Sequence, residues 1–208
     1  MKYAVGRVVS RYLYRRHASF LVERSLDPIL KKPIRSDAYR VAVIQESEVP
    51  SLTKYFAHQK EVFERFLKMG LTGIGVFDAS TQEAIGAFWI STKSYYDRDH
   101  YKFEFRVRPG QLYQFAGEVA EPFRGSRVAV LALEFAYTLF REKGFSSALA
   151  CIDEPNDASI RLHRKLGFRF THRIVFTDLL GVRFASVRPC DDMTEESTSE
   201  QSTSVQCD

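Results

Sequence analysis

Two segments of this sequence gather residue types that could do chemistry. The first runs Val119-Ala120-Glu121-Pro122-Phe123-Arg124-Gly125-Ser126-Arg127-Val128-Ala129 and joins an apparent strand to an apparent helix. A strand ending in a short Gly-containing turn that opens a helix presents several unpaired backbone N–H groups together. Those groups and the helix dipole favour an anion, most naturally a phosphate or pyrophosphate. Arg124 and Arg127 would add charge to the same cradle, although an ordinary turn with two solvated arginines has the same pattern. The second segment, Asn156-Asp157-Ala158-Ser159-Ile160-Arg161-Leu162-His163-Arg164-Lys165-Leu166-Gly167-Phe168, follows one strand later. Asn156 there reads as an N-cap or a loop hydrogen-bonding group, and Ser159 on the first turn as either a cap or a ligand contact.

Together these segments resemble the GNAT superfamily of acyl-CoA-dependent N-acetyltransferases. The family's pyrophosphate loop reads Arg/Gln-x-x-Gly-x-Gly/Ala; Arg124 matches its first position and Ala129 its last, while Arg127 replaces the central glycine. The family's second motif, Asn-x-x-Ala/Ser-x-x-Leu-Tyr-x-x-x-Gly-Phe, is matched at Asn156, Ser159, Leu162, Gly167 and Phe168. An arginine at the central loop position alters the close backbone approach that glycine allows, or contacts a phosphate itself. His163 stands where many members carry a tyrosine thought to protonate the leaving thiolate. Histidine can donate a hydrogen bond when neutral or act as an acid when charged; the alternative is a histidine packed beside the cofactor.

The resemblance implies acetyl-CoA as donor substrate, no metal, and direct attack on the thioester by a primary amine, from a small molecule or a peptide, in a ternary complex. A non-catalytic acyl-CoA sensor or scaffold is the alternative. The residues implied for the cofactor are Val119, Arg124, Gly125, Ser126, Arg127, Val128, Ala129, Asn156 and Ser159. The developing oxyanion needs a backbone N–H, which the resemblance places near Val119 where the strand splays. A base must also take the ammonium proton. Glu118 is adjacent, but alternation turns it away from Val119 unless a bulge intervenes. Tyr113, Glu104 or a water chain are the other candidates. The aromatic stretch from Trp89 to Phe105 reads as core or as an acceptor wall.

The elements that must position these groups are legible from Val41 onward. Val41–Gln45 reads as a short strand, and apolar residues at three- and four-residue spacing from Pro50 to Leu67 predict a helix closed by Gly70. Strands are expected at Thr72–Phe77, Ala84–Ser91 and Leu112–Val119, with loops and strand in Lys93–Pro109. A largely buried helix follows over Arg127–Glu142, then strand Phe145–Ile152, helix Asp157–Leu166, and strands Phe168–Phe176 and Val182–Val187. The expected fold is mixed α/β and GNAT-like, a central, mostly antiparallel twisted sheet with helices on both faces.

Charge divides the 208 residues unevenly. Residues 1–40 hold ten Lys/Arg against Glu23, Asp27 and Asp37, a net +7, whereas 190–208 hold six acids and no base. The reading is a basic N-terminal extension over 1–40, a GNAT-like domain over 41–189, and an acidic disordered tail over 190–208. In the extension a short helix over Tyr3–Leu13 and a strand over His17–Leu26 are expected, docked on the fold or serving a homo-oligomer or peripheral membrane contact. The longest uncharged apolar run, Val128 to Leu133, is far short of a membrane span. Arginines interrupt any secretory core near the N-terminus, and three cysteines give no metal or disulfide framework. A cytoplasmic location with reduced thiols is expected, and no nucleic-acid partner.

Overall fold

Alternating apolar residues bounded by short turns assemble an eight-stranded sheet, described by a computed structural model over residues 14–28 and 37–190. In chain order the elements are β1 (Tyr14–Ser25), β2 (Tyr39–Val43), α1 (Thr53–Phe56), α2 (Lys60–Lys68), β3 (Thr72–Asp78), β4 (Ala84–Ser91), β5 (Tyr95–Asp97), β6 (Phe103–Phe105) and β7 (Gln111–Val119). They continue with α3 (Val128–Glu142), β8 (Ser147–Asp153), α4 (Asp157–Lys165), β9 (Arg169–Leu179) and β10 (Val182–Pro189). The main sheet has the order β10-β9-β1-β8-β7-β4-β3-β2, and β5 and β6 form a separate hairpin. Every pairing in the main sheet is antiparallel except β7 with β8.

β1 is an interior strand. It pairs with β8 from Ser19 to Ser25 and with β9 along most of its length. Residues 14–25 therefore share one sheet with the chain beyond residue 41, and the charge change near residue 40 does not coincide with a break in the sheet. The expected helix over Tyr3–Leu13 and the tail from Asp191 lie outside the described residues.

The long helix expected from Pro50 to Leu67 is broken. Tighter 3₁₀ turns occupy Glu46–Leu52 and Ala57–Gln59, with α1 and α2 between and after them. Apolar spacing of three and four residues fits either helix type, so the pattern fixed which side chains turn inward but not the winding. Leu52, Phe56, Phe63 and Phe66 are all buried.

Helices cover both faces of the sheet. On one face Trp89 of β4 packs against Phe63 and Phe66 of α2, with ring centroids 5.3 and 5.0 Å apart. On the other, α3 lies against β3 and β4, with Val128 fully buried over Gly86. A Cβ on Gly86 would stand 2.6 Å from Val128 Cγ1, so only glycine lets α3 settle this close. Gly86→Ala is expected to lower stability by about 1–3 kcal/mol through overpacking, read as a shift in denaturant midpoint at unchanged slope.

Candidate active site

The parallel pairing of β7 with β8 covers only Gln111–Gln114 against Ser147–Ala150. Beyond it the strands part. β7 carries a bulge between Phe115 and Glu118, where Phe88 of β4 stands opposite both Ala116 and Gly117 of β7 and Ala116 takes a left-handed φ of 45°. A non-glycine residue at positive φ costs strain that the flanking ladder must hold. The bulge turns the β7 backbone out of regular register, and a cleft of about 1270 Å³ opens beside it.

One end of the cleft is basic. It is lined by Arg124, Gly125, Ser126, Arg127 and Ala129 from the loop, and by Arg161 and Lys165 from α4. Gly125 has φ 77°, the left-handed conformation this turn requires. The first N–H groups of α3 have no carbonyl behind them in the helix. Val128 N–H reaches Ser126 Oγ at 3.3 Å; Ala129 and Val130 bring the first turn to the cleft wall. Unpaired amides, a helix N-terminus and flanking cations form a setting that fits the pyrophosphate of acetyl-CoA. Val128, expected among these contacts, has its side chain wholly buried and facing β4, so only its backbone could reach a ligand there. Asn156 caps α4, its Oδ1 accepting from Ser159 N–H at 3.0 Å, while both residues also line the cleft.

The middle of the cleft holds a buried polar chain. Tyr137 of α3 donates to Gln114 Oε1 at 2.5 Å, and the Gln114 amide stands 3.3 Å from His163 Nε2. His163 Nδ1 lies 2.8 Å from the Ser159 carbonyl, which can only accept, so the ring proton sits on Nδ1 and Nε2 accepts from Gln114. Burial pushes the His163 pKa down, against the Ser159 carbonyl, which raises it. The ring is therefore neutral near pH 7 with both nitrogens engaged, the opposite of a ready imidazolium acid.

The expected bases fall in different places. Past the bulge Glu118 faces the α2 side, where Gln59 donates to it and His58 lies 3.8 Å away. It pairs across to Ala87, whereas Val119 pairs with Gly86 and lines the cleft. Glu104 sits on β6 beside Arg106, 3.7 Å away, and does not line the cleft. Tyr113 does line it, stacked on Phe105 at 4.5 Å, with its phenol oxygen buried and without a hydrogen bond among the described residues. Burial raises its pKa well above the usual phenol value. The phenol keeps its proton at neutral pH and is not available as a base.

Of the far end of the cleft, only the aromatic stretch from Trp89 to Phe105 was expected, as core or as an acceptor wall. Asp97, His100, Tyr101, Cys151 and Asp153 meet there with the aromatic walls Tyr95 and Phe115. Asp153 Oδ1 accepts from Ser19 at 2.8 Å and from Tyr101 at 3.0 Å, and Oδ2 lies 3.0 Å from His100 Nε2. Burial would push the Asp153 carboxyl up, but hydrogen bonds from His100, Ser19 and Tyr101 outweigh it and bring it down to about 2. Burial pushes the Cys151 thiol up to about 12, so it stays protonated. Gln114, Arg161 and Lys165 were also missed. A glutamine inside an apolar strand, and two cations four residues apart on the helix that carries Ser159, were the available signals.

A mixed sheet parted between two parallel strands, with a helix N-terminus at the gap, is an α/β architecture that sets anion-binding amides beside an open cleft. The acetyltransferase (GNAT) family model matches residues 50–168, and the chain belongs to that family. Solved structures with the same fold include a GCN5-related N-acetyltransferase from Sphaerobacter thermophilus, with 15% identity and a TM-score of 0.57 over 92% of this chain and 58% of that one. A tandem GNAT protein from the clavulanic acid biosynthesis pathway matches at 16% identity and a TM-score of 0.56, over 86% and 58%. A Drosophila protein matches at 13% identity and a TM-score of 0.57, over 86% and 57%. The chain thus spans under two thirds of the length of each. No curated protein matches it.

Among the described residues, no group of three or more His, Cys, Asp or Glu side chains is placed to hold a metal, and no helix is long and apolar enough to cross a membrane.

Proposed function

We propose that this protein moves an acetyl group from acetyl-CoA to a primary amine by direct attack in a ternary complex. One observation carries the reading. A single cleft runs from a basic helix N-terminus, past the bulged edge of β7, to an aromatic and acidic far end. Loop 124–129 and α4 would hold the pyrophosphate and pantetheine, and the exposed β7 backbone would orient the thioester carbonyl through an N–H. Binding side by side supplies the proximity that lowers the barrier. Calorimetric titration with acetyl-CoA, followed by thiol release across a panel of primary amines, tests it. A protein that binds no acetyl-CoA defeats the reading.

Arg127 is assigned to a phosphate. It lines the cleft in an exposed position, free to swing onto a polyanion. Arg127→Ala is expected to weaken coenzyme A binding by about 1.5–3 kcal/mol, the range for charged hydrogen bonds, with the loss shrinking at high salt. Tighter binding by Arg127→Gly would show instead that the arginine obstructs the cradle.

A second reading, an acyl-CoA-binding module without turnover, is favoured by His163, whose two nitrogens are both engaged. Thiol release above the hydrolytic background removes it.

A further inference from the structure

The far end of the cleft carries a histidine–aspartate pair that the sequence pattern did not link. His100 comes from the turn between β5 and β6, Asp153 from the C-terminal end of β8, and they meet at 3.0 Å. Asp153 is fixed by Ser19 of β1 and by Tyr101, so the carboxylate is held from two elements before His100 adds its bond. His100 is fixed as well. Its backbone N–H donates to Asp97 Oδ1 at 2.8 Å, its carbonyl accepts from Arg183 of β10 at 2.7 Å, and its ring meets Tyr101 edge-on at 4.5 Å. Both residues line the cleft, and so does the Tyr113 phenol, a buried polar group with no partner among the described residues. An orphaned buried donor on the wall of the same cleft marks a place for a polar ligand group.

Resting on the acetyltransferase reading, we infer that His100, positioned by Asp153, accepts the proton from the acceptor's ammonium group in the far half of the cleft. Asp153 holds the ring with Nε2–H toward the carboxylate, which leaves the Nδ1 lone pair to take the proton. The freed amine lone pair forms the N–C bond at the thioester carbonyl, and the C–S bond breaks. The ammonium's first proton goes to His100 and on to solvent past its half-exposed side chain. The second goes from the new C–N centre to the thiolate, giving the amide and free thiol. The carboxylate stabilises the imidazolium as it forms.

The groups around the pair act on His100 in both directions. The hydrogen bond that His100 donates to Asp153 raises the His100 pKa most, burial lowers it, Asp153 and Asp97 raise it by charge, and Arg183 lowers it. His17 of β1 stands 6.3 Å from the ring, and burial and Arg183 lower its own pKa, which keeps it neutral beside the pair. Arg183 is in turn neutralised by Asp178 of β9, and Asp99 by Arg65 of α2. Cys151 and Tyr101, protonated beside Asp153, add no charge.

The test uses the full chain with acetyl-CoA and a panel of primary amines that includes phenethylamine, chosen for the aromatic walls. For the amine turned over fastest, kcat/KM should rise with pH along a limb that matches the His100 titration read by NMR in the free protein. His100→Gln should lower kcat about 100-fold or more at little cost in KM and abolish that limb. Asp153→Asn removes the charge that raises the histidine, so the His100 titration and the limb should both move to lower pH, with a lower plateau. Acetyl-CoA affinity, measured by calorimetry on each variant, should stay within a few-fold of the parent and confirms that the fold and the donor end are intact. A limb unmoved by Asp153→Asn, or retained in His100→Gln, overturns the inference while leaving the acetyltransferase reading standing. A protein that binds acetyl-CoA yet acetylates no amine of the panel overturns the inference together with amine transfer and leaves the binding module without turnover. A protein that binds no acetyl-CoA instead overturns both.

Discussion

Trp89→Ala is expected to lower the unfolding free energy by about 3–5 kcal/mol, the range for truncating a fully buried large aromatic side chain. Trp89 has no exposed surface and lies between Phe63 and Phe66. Gly73 on the neighbouring strand makes room for it, since a Cβ there would stand 3.0 Å from the indole ring. Removing the indole empties the junction between α2 and the sheet, and the aromatic neighbours can close only part of the space. Trp89→Phe should cost much less, because it keeps a ring and deletes an indole N–H that is buried without an acceptor among the described residues. Denaturant titration followed by far-UV circular dichroism gives both values. Fluorescence is unsuitable, as this is the only tryptophan in the chain. An alanine variant within about 1 kcal/mol of the parent would mean that α2 does not pack on this residue.

Gln114→Leu should cost about 2–6 kcal/mol, because it leaves two buried groups without partners at about 1–3 kcal/mol each. Gln114 accepts from Tyr137 and donates to His163, so leucine strands the tyrosine hydroxyl and the histidine Nε2 together. Adding Tyr137→Phe to Gln114→Leu should restore part of the loss, since it deletes one of the stranded groups. Tyr137→Phe alone should be destabilising. A double-mutant cycle by chemical denaturation measures the coupling. If the double variant is no more stable than Gln114→Leu, the hydroxyl and amide do not interact. The same variant frees His163 Nε2, and an upward move of the His163 titration by NMR would report the altered partner.

The sequence by itself determined the class of fold and most of its elements. Alternation placed strands at Thr72–Asp78, Ala84–Ser91 and Gln111–Val119 within a residue or so, and glycines ended the helices at Gly144 and Gly167. These features are local, set by side-chain period and by backbone conformations that few residues adopt. The loop from Arg124 to Ala129 and the cap at Asn156 were legible for the same reason, since their geometry arises within a few residues of chain.

What the tertiary structure alone decided is every relation between distant residues. The sequence suggested a strand near His17 but not that β1 lies between β8 and β9, because sheet order follows from non-local pairing. It raised a bulge beside Glu118 only as a condition; its place at Ala116 and Gly117 is set by the ladder with β4, whose register shifts by one residue across it. His163 was read as a possible acid until Gln114 and Ser159 engaged both of its nitrogens. His100 had no partner at ligand spacing along the chain, and its partner, Asp153, lies 53 residues away. Periodicity records which side chains turn inward. Which of them then meet is set by the packing of whole elements, and the chemistry of this cleft depends on those meetings.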